Sequence, residues 1–502
     1  MARRRVEPDA SLLTPDGTPR PSGPAGAGQP TDEVCREVAT VTRWLVAAAV
    51  VMVISRVHVE VSLLAAVQAP LLVTAGAAFL MFSDTARWRP RDLGRHWIPQ
   101  CIGILLVVAV VGLPFSIYQG RTFRFLWDSF SRTLLLATLV WGVARTTVGS
   151  RFVAKTIVVG GAAASCLALL VGRVDRSGRL AGAHTYDPND LAFIAVATIP
   201  LAAWWALMRG SRDRWIGVAA LLVSLYTLVQ TDSRGGFIGI AAVVTGALVL
   251  GIFSGAGPFR KISLGLVVLA VLSFPLLPHR YRETVRSLGD LESDYNMTSE
   301  TGRWQLWGRG LRYAWDRPLL GVGMDNFRTA EGRISELARS RAPGVGLKWS
   351  TAHNSFIQVA AELGIVAAAV FLMLALRTPV ALIAHYRRQR RSRAPPDLLP
   401  ALLALSLIGF SATGFFLSLA YKDLPYLLFG VGAAILMRAP RRSSAPLRRV
   451  TPLSHAPMRP PAPAAYPSGR GAPDGIGWPL ADRALHHGET FPSTERGPNE
   501  LE

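Results

Sequence analysis

The chain has 502 residues, half of them apolar, with a mean hydropathy of +0.30. Its 54 Lys and Arg against 33 Asp and Glu give a net charge of +21. The basic residues sit in short connections between apolar runs and in two tails, the pattern of cytoplasmic membrane loops, which argues against nucleic acid as their partner. Three cysteines, Cys35, Cys101 and Cys166, show neither metal-type spacing nor a disulfide framework.

Residues 1–40 are polar and rich in Pro and Gly and read as a disordered tail, as does 438–502 with its Pro and Arg runs. Between them lie twelve apolar runs close to bilayer length. They fall near 41–55, 61–82, 97–117, 133–146, 152–172, 191–208, 215–231, 236–253, 262–278, 354–376, 398–420 and 424–437. The expected fold is an all-α polytopic membrane protein with about twelve transmembrane helices over 41–437 and a large extracytoplasmic helical loop, 279–353, between the ninth and tenth spans.

Positive charge sets the orientation. With the N-terminus inside, the inner connections carry Arg87, Arg89, Arg91 and Arg95; Arg145 and Arg151; Arg209, Arg212 and Arg214; Arg260 and Lys261; and the basic run at 387–393. The second tail, beginning Arg438, Arg441 and Arg442, is then also inside. Two short outer connections run against the rule, with Arg121 and Arg124 in one and Arg173, Arg176 and Arg179 in the other. Such residues suit an anion, or the phosphates of membrane lipids.

Four outer segments carry candidate chemistry. The first runs from Arg179-Leu-Ala-Gly182 to Tyr186-Asp-Pro-Asn-Asp190, just before a span. The second, Asp232-Ser-Arg234-Gly235-Gly236, joins two spans almost without a connection. Glycines permit so tight a turn and leave Arg234 little freedom. Its planar guanidinium suits bidentate phosphate binding, with a topological anchor as the plainer alternative. Asp232 is placed to orient it or to cap a helix.

The third segment has Trp304, Trp307, Leu311 and Trp315 at helical spacing, stopped before Pro318. Arg309, Arg312 and Asp316 fall on the opposite face. Arg303 lies beside the apolar stripe and points toward the junction with the membrane body, or snorkels at an interfacial helix. Gly321, Gly323, Asn326 and Phe327 follow.

The fourth segment is Thr351-Ala-His353-Asn354-Ser355, continuing to Glu362-Leu-Gly364. Thr351 or Asn354 is placed to cap the helix that begins here. A helix N-terminus disfavours imidazolium, so a neutral His353 is available as a general base. Glu362 faces away from His353 and reads as a structural partner to another span. His58, His184 and His279 are weaker base candidates. Asp290, Glu292 and Asp294 cluster without a histidine, and no metal site or cofactor is expected.

The order of these motifs on one membrane face, with the large loop before the last spans, resembles the O-antigen ligase and Wzy polymerase superfamily over roughly 170–440. The resemblance implies a GT-C-like membrane glycosyltransferase of the bacterial cytoplasmic membrane, acting at the periplasmic face with both termini inside. It implies a donor glycan on undecaprenyl diphosphate, and an acceptor hydroxyl on lipid A–core, another glycan or a protein. It also implies metal-independent, inverting transfer, with His353 as base and Arg234, Arg303, Arg179 and Arg176 on the diphosphate. Asp232, Gly235, Trp304, Asn326, Asn354 and Glu362 are then supporting residues. A polysaccharide transporter or flippase is the rival of another class. It predicts internal repeats and charge at mid-membrane depth, whereas no repeat is present and the singular residues gather on one face.

Overall fold

The computed structural model describes residues 38–84, 90–175, 178–182, 186–208, 210, 212–253, 260, 264, 282–283, 299, 302–340, 349–391 and 396–438. In chain order the helices are α1 (Thr40–Ser55), α2 (Val57–Glu60), α3 (Ser62–Ala66), α4 (Ala69–Ser83), α5 (Trp97–Gly112), α6 (Gln119–Phe125), α7 (Ser131–Val143), α8 (Thr147–Val171), α9 (Pro188–Ala206), α10 (Arg214–Thr231) and α11 (Arg234–Phe253). After them come α12 (Arg303–Asp316), α13 (Phe327–Arg333), α14 (Glu336–Ser340), α15 (Ser355–Arg390), α16 (Leu399–Gly414) and α17 (Asp423–Met437). One departure from all-α is a small antiparallel pair, β1 (Arg173–Val174) with β2 (Leu180–Ala181).

Among the described residues six helical stretches are long and apolar enough to cross a membrane, and α1, α4, α16 and α17 are shorter apolar helices. The chain is a multi-pass membrane protein, in which regular helix satisfies backbone polar groups at lipid depth. The expected ninth span, 262–278, lies outside the described residues but for Leu264, as do the two tails but for residues 38–40 and Arg438.

Four expected spans change shape. The run at 61–82 is broken where Gln68 takes a left-handed φ of 47°, and its apolar helix starts only at Ala69. The short run at 133–146 is the end of a longer helical stretch from Gln119, passing through one π-turn at Leu126–Phe130. The run at 398–420 stops as a helix at Gly414.

The span at 354–376 reverses. Gly364 has φ 85° and ψ 177° within α15, and the rings of Phe356 and Phe371 meet at 5.7 Å. Fifteen residues of straight helix would hold them about 22 Å apart. The stretch from Ser355 to Leu363 therefore folds back on the one from Ile365.

Helix α9 is the hub, with 78% of its apolar stretch buried against 28% for the span that α5 forms. It packs on α8, α10, α11 and α16. Glycines let these backbones close in: a Cβ on Gly239 or Gly409 would lie 3.1 or 2.8 Å from the Val196 side chain.

The basic connections gather at one end of the bundle. Arg145 reaches Asp92 at 2.8 Å, Arg151 reaches Asp397 at 3.0 Å, Lys155 pairs with Asp213, and Arg438 bonds Thr147 and Ser150. The other end carries the motif-bearing segments.

Candidate active site

The reversal at Gly364 is held by the loop that follows α12. Breaking a helix frees backbone groups that must find partners. The carbonyls of Ala361 and Glu362 accept from Val322 and Gly323 N–H at 2.9 Å each, and Ile365 N–H donates to the Pro318 carbonyl at 2.7 Å. Gly321 and Gly323 take positive φ to make this approach, and a Cβ on Gly321 would lie 2.4 Å from the Glu362 backbone. Glu362 is buried and accepts from Phe327 N–H at 2.9 Å. This bond ties the carboxylate to the loop that follows α12.

The same loop is welded to the connection after α5. Asn326 is fully buried, and its amide donates to Ser116 and Thr122 hydroxyls at 2.8 Å each. Arg121 meets the Asp325 carboxylate at 2.9 Å and its carbonyl at 2.6 Å. Arg121 is therefore a structural tie, contrary to its reading as an anion binder. Burial pushes the Asp325 carboxyl up, against the opposing pull of Arg121.

Arg234 opens α11 after a link of only two residues from α10. Asp232, at φ 46°, is the left-handed residue that ends α10. The cap of α11 is Ser233, whose hydroxyl accepts from Gly236 N–H at 3.2 Å; Asp232 is not that cap. Ser233 also donates to Asn189 at 2.8 Å. Arg179 closes the cluster by donating to the Thr231 carbonyl at 3.1 Å and to Asn189 at 2.8 Å. The β1–β2 hairpin so braces the turn that presents Arg234. Gly235 and Gly236 lie within α11 rather than in the turn, and they admit neighbours: Phe416 Cβ would stand 3.6 Å from a Cβ on Gly235.

Helix α12 has three faces. Leu306, Trp307, Gly310, Tyr313 and Ala314 are buried. Arg309 and Tyr313 both bond the buried Glu331, the arginine at 2.7 Å and the phenol at 2.9 Å, and Arg312 pairs with Glu336. Burial and the Glu331 carboxylate push the Tyr313 phenol up. Of the expected stripe only Trp307 packs inward, while Trp304, Leu311 and Trp315 are exposed. Arg309, expected on the outward face, is turned to Glu331. Arg303, at the first position, is half-buried with its guanidinium 5.9 Å from the Phe416 ring centre.

His353 sits just before the α15 cap with a left-handed φ of 47°. Asn354, rather than Thr351, caps that helix, accepting from Phe356 and Ile357 N–H at 2.9 and 3.0 Å. The segment is clamped on both sides. His353 N–H donates to Ser418 at 2.9 Å. Ser355 donates to the Leu417 carbonyl at 2.7 Å and accepts from Leu419 N–H at 2.9 Å. A non-glycine residue held left-handed by its surroundings marks stored strain of the kind found at functional sites.

The segment after Gly414 unites these parts. Gly235 packs near Phe416, Arg303 lies by the Phe416 ring, and His353 bonds Ser418. Sequence reasoning missed this backrest because its apolar residues extend the run of α16; the polar Tyr421-Lys422-Asp423 that follows was the available signal.

Also missed was a cleft at the same end. Arg56 there stands 3.7 Å from Asp423 and donates to the Tyr186 hydroxyl at 3.3 Å, which burial pushes up to about 12. Asp423 also accepts from Thr133 at 2.5 Å.

Arg176, His184, His279 and the acids Asp290, Glu292 and Asp294 lie outside the described residues. His58 is turned to the Met52 carbonyl at 3.0 Å, and its pKa is lowered by burial. Among the described residues no group of His, Cys, Asp or Glu is arranged to hold a metal ion.

Residues 219–372 match the family model described as O-antigen ligase (Wzy_C). The match takes in Arg234, Arg303, Asn326, His353 and Glu362 and leaves out Arg179 and the Phe416–Ser418 backrest. No curated protein matches the chain.

Proposed function

We propose, on the premise of the match of residues 219–372 to the O-antigen ligase family model, that the chain moves a glycan from undecaprenyl diphosphate to an acceptor hydroxyl at the periplasmic face of the inner membrane. The observation that carries the reading is the common support of three residues. Phe416 and Ser418 back the first turn of Arg234, the guanidinium of Arg303 and the backbone of His353. The guanidinium of Arg303, the backbone of His353 and the helix turn that begins with Arg234 are thereby all set against a single short segment.

In this reading His353 takes the proton of the acceptor hydroxyl as its oxygen attacks the anomeric carbon. The bond from that carbon to the diphosphate oxygen breaks, and the electron pair leaves with the lipid diphosphate. Arg303 and Arg234 meet the negative charge as it grows, where preorganised donors count most. A single displacement inverts the anomeric centre. Arg179 serves as a positioning residue, because its Nε and Nη2 are engaged by Thr231 and Asn189 and hold the turn before Arg234. The basic ends of the helices then lie in the cytoplasm with both termini.

The test is transfer from a lipid-linked glycan by purified protein in lipid. His353→Ala abolishes it while leaving insertion intact. Arg303→Lys and Arg234→Lys lower it about 100-fold, since an ammonium cannot reproduce the fork. Activity retained by His353→Ala removes the base assignment.

Ligation to lipid A–core, polymerisation of glycan repeats and transfer to protein share this site. A deletion strain separates them: uncapped lipid A indicates the ligase, and loss of long chains alone indicates the polymerase. Uptake into vesicles without transfer would support the transporter instead.

A further inference from the structure

The face of α12 bearing Trp304, Leu311 and Trp315 is exposed. The three residues are 51%, 56% and 80% exposed, respectively. They fall within about 40° of one another around a helix of 3.6 residues per turn. The other two faces are occupied. One packs on α15 and the Phe415–Phe416 pair, and the other holds Glu331 and Glu336. A helix with a packed face, a paired polar face and a third face of two tryptophans and a leucine has an apolar surface to place.

Where that surface lies is fixed at both ends. At the end of α12, Leu319 is exposed, and Leu320 lies 3.6 Å from where a Cβ on Gly112 of α5 would stand. Arg317 donates to the Phe115 carbonyl at 3.2 Å. Phe115 and Val111 of the α5 span are themselves exposed, and among the described long spans that of α5 has the smallest share buried inside the protein. At the start of α12, Trp307 stacks edgewise on Phe415, which is also exposed and sits just past the end of α16. The stripe thus bridges the ends of two spans and continues the surface those spans turn to lipid.

We propose that α12 is an interfacial helix, lying in the headgroup zone of the leaflet at the His353 end with Trp304, Leu311 and Trp315 against acyl chains. The residue chemistry agrees: tryptophan favours the boundary between headgroup and hydrocarbon, and an amphipathic helix binds there through its apolar face. The occupant is the bilayer itself. One consequence rests on the transfer reading given above. Arg303, on the first residue of this helix, would be held at the depth of lipid phosphates, so a diphosphate would be met without leaving the plane in which its lipid diffuses.

The experiment reads depth and needs no activity, so its failure and that of the transfer reading are distinguishable. In full-length protein with Cys35, Cys101 and Cys166 replaced by Ala, Trp315→Cys carries a nitroxide, and a parallel sample carries it at Leu311→Cys. Both are reconstituted in phosphatidylethanolamine–phosphatidylglycerol vesicles. Ser340→Cys on α14, exposed and remote in the helix order, is the aqueous reference.

Power saturation is expected to show collision with oxygen exceeding collision with a water-soluble nickel chelate at 311 and 315, and the reverse at 340. A nickel-to-oxygen ratio at 315 equal to that at 340 places the helix in water and overturns the proposal. Protection from both agents means protein covers the face, either this chain's own 254–301 or a partner, and overturns it equally. Should the cysteine-free background not fold, quenching by brominated lipid supplies the second readout. Wild type is expected to lose more tryptophan emission than Trp315→Phe, and equal loss overturns the proposal.

Discussion

The indole N–H of Trp307 donates to the carbonyl of Ala352 across 3.1 Å, inside the protein. This bond fixes the residue next to His353 to the helix that begins with Arg303. Trp307→Phe keeps an aromatic side chain, smaller by the pyrrole portion, and removes the donor, leaving a buried carbonyl unpaired at a cost of about 1–3 kcal/mol. The expected outcome is a fall of about 10-fold in kcat with a smaller change in KM, because small misplacements of reacting groups are costly in rate. Steady-state kinetics with a lipid-linked donor checks it.

Gly364→Ala should damage the fold more than any change of similar size on the lipid-facing surface. The residue has φ 85°, and an added Cβ would stand 2.4 Å from the Pro318 carbonyl. Left-handed strain alone costs about 1–3 kcal/mol, and the clash adds to it. The measurable result is a lower midpoint of thermal unfolding in detergent, with Gly321→Ala behaving alike.

Arg121→Met tests the weld between the α5 connection and the loop after α12, and its effect depends on pH. Burial already raises the Asp325 carboxyl, and Arg121 opposes that rise. Without Arg121 the folded pKa climbs further above the unfolded value. A raised carboxyl pKa means that the folded state holds its proton more tightly, so ionisation above that pKa works against folding. The stability gap between wild type and variant therefore widens as pH rises from about 4 toward 8. A gap that narrows over that range would show that Asp325 does not depend on Arg121.

Glu331→Gln takes from Arg309 the carboxylate it bonds, where both guanidinium and carboxylate are shielded, at 13% and 3% exposure. Removing one partner of such a pair costs about 3–5 kcal/mol. The variant should unfold at lower temperature and lose transfer activity in proportion to the folded fraction, because Glu331 ties α13 to α12 and touches nothing at His353 in the contacts described above.

Much of the arrangement was legible in the residues. Apolar length gave most of the spans, and the basic connections do meet at one end through Arg145, Arg151 and Lys155. Asn354 was one of two candidate caps, and Arg303 does turn toward the membrane body. Periodicity failed on α12 because a helix between a protein core and lipid is apolar on two sides. Trp304, Leu311 and Trp315 therefore look like a core stripe while Leu306 and Tyr313 do the packing. The reversal at Gly364 was hidden for a related reason. Hydropathy counts apolar residues and is blind to direction, and the partners that make the break tolerable, Pro318 and Val322, lie some forty positions earlier in the chain.

The clamp between His353 and Ser418 sets where the protein can be cut and joined. A chimera that exchanged residues 219–372 alone would import Thr231 beneath a foreign Arg179 and seat an imported His353 against a foreign Ser418. Its two borders run through hydrogen-bonded partners rather than between them. Donor grafts meant to transplant specificity need to begin before the β-hairpin and end beyond Asp423, so that both halves of each bonded pair travel together.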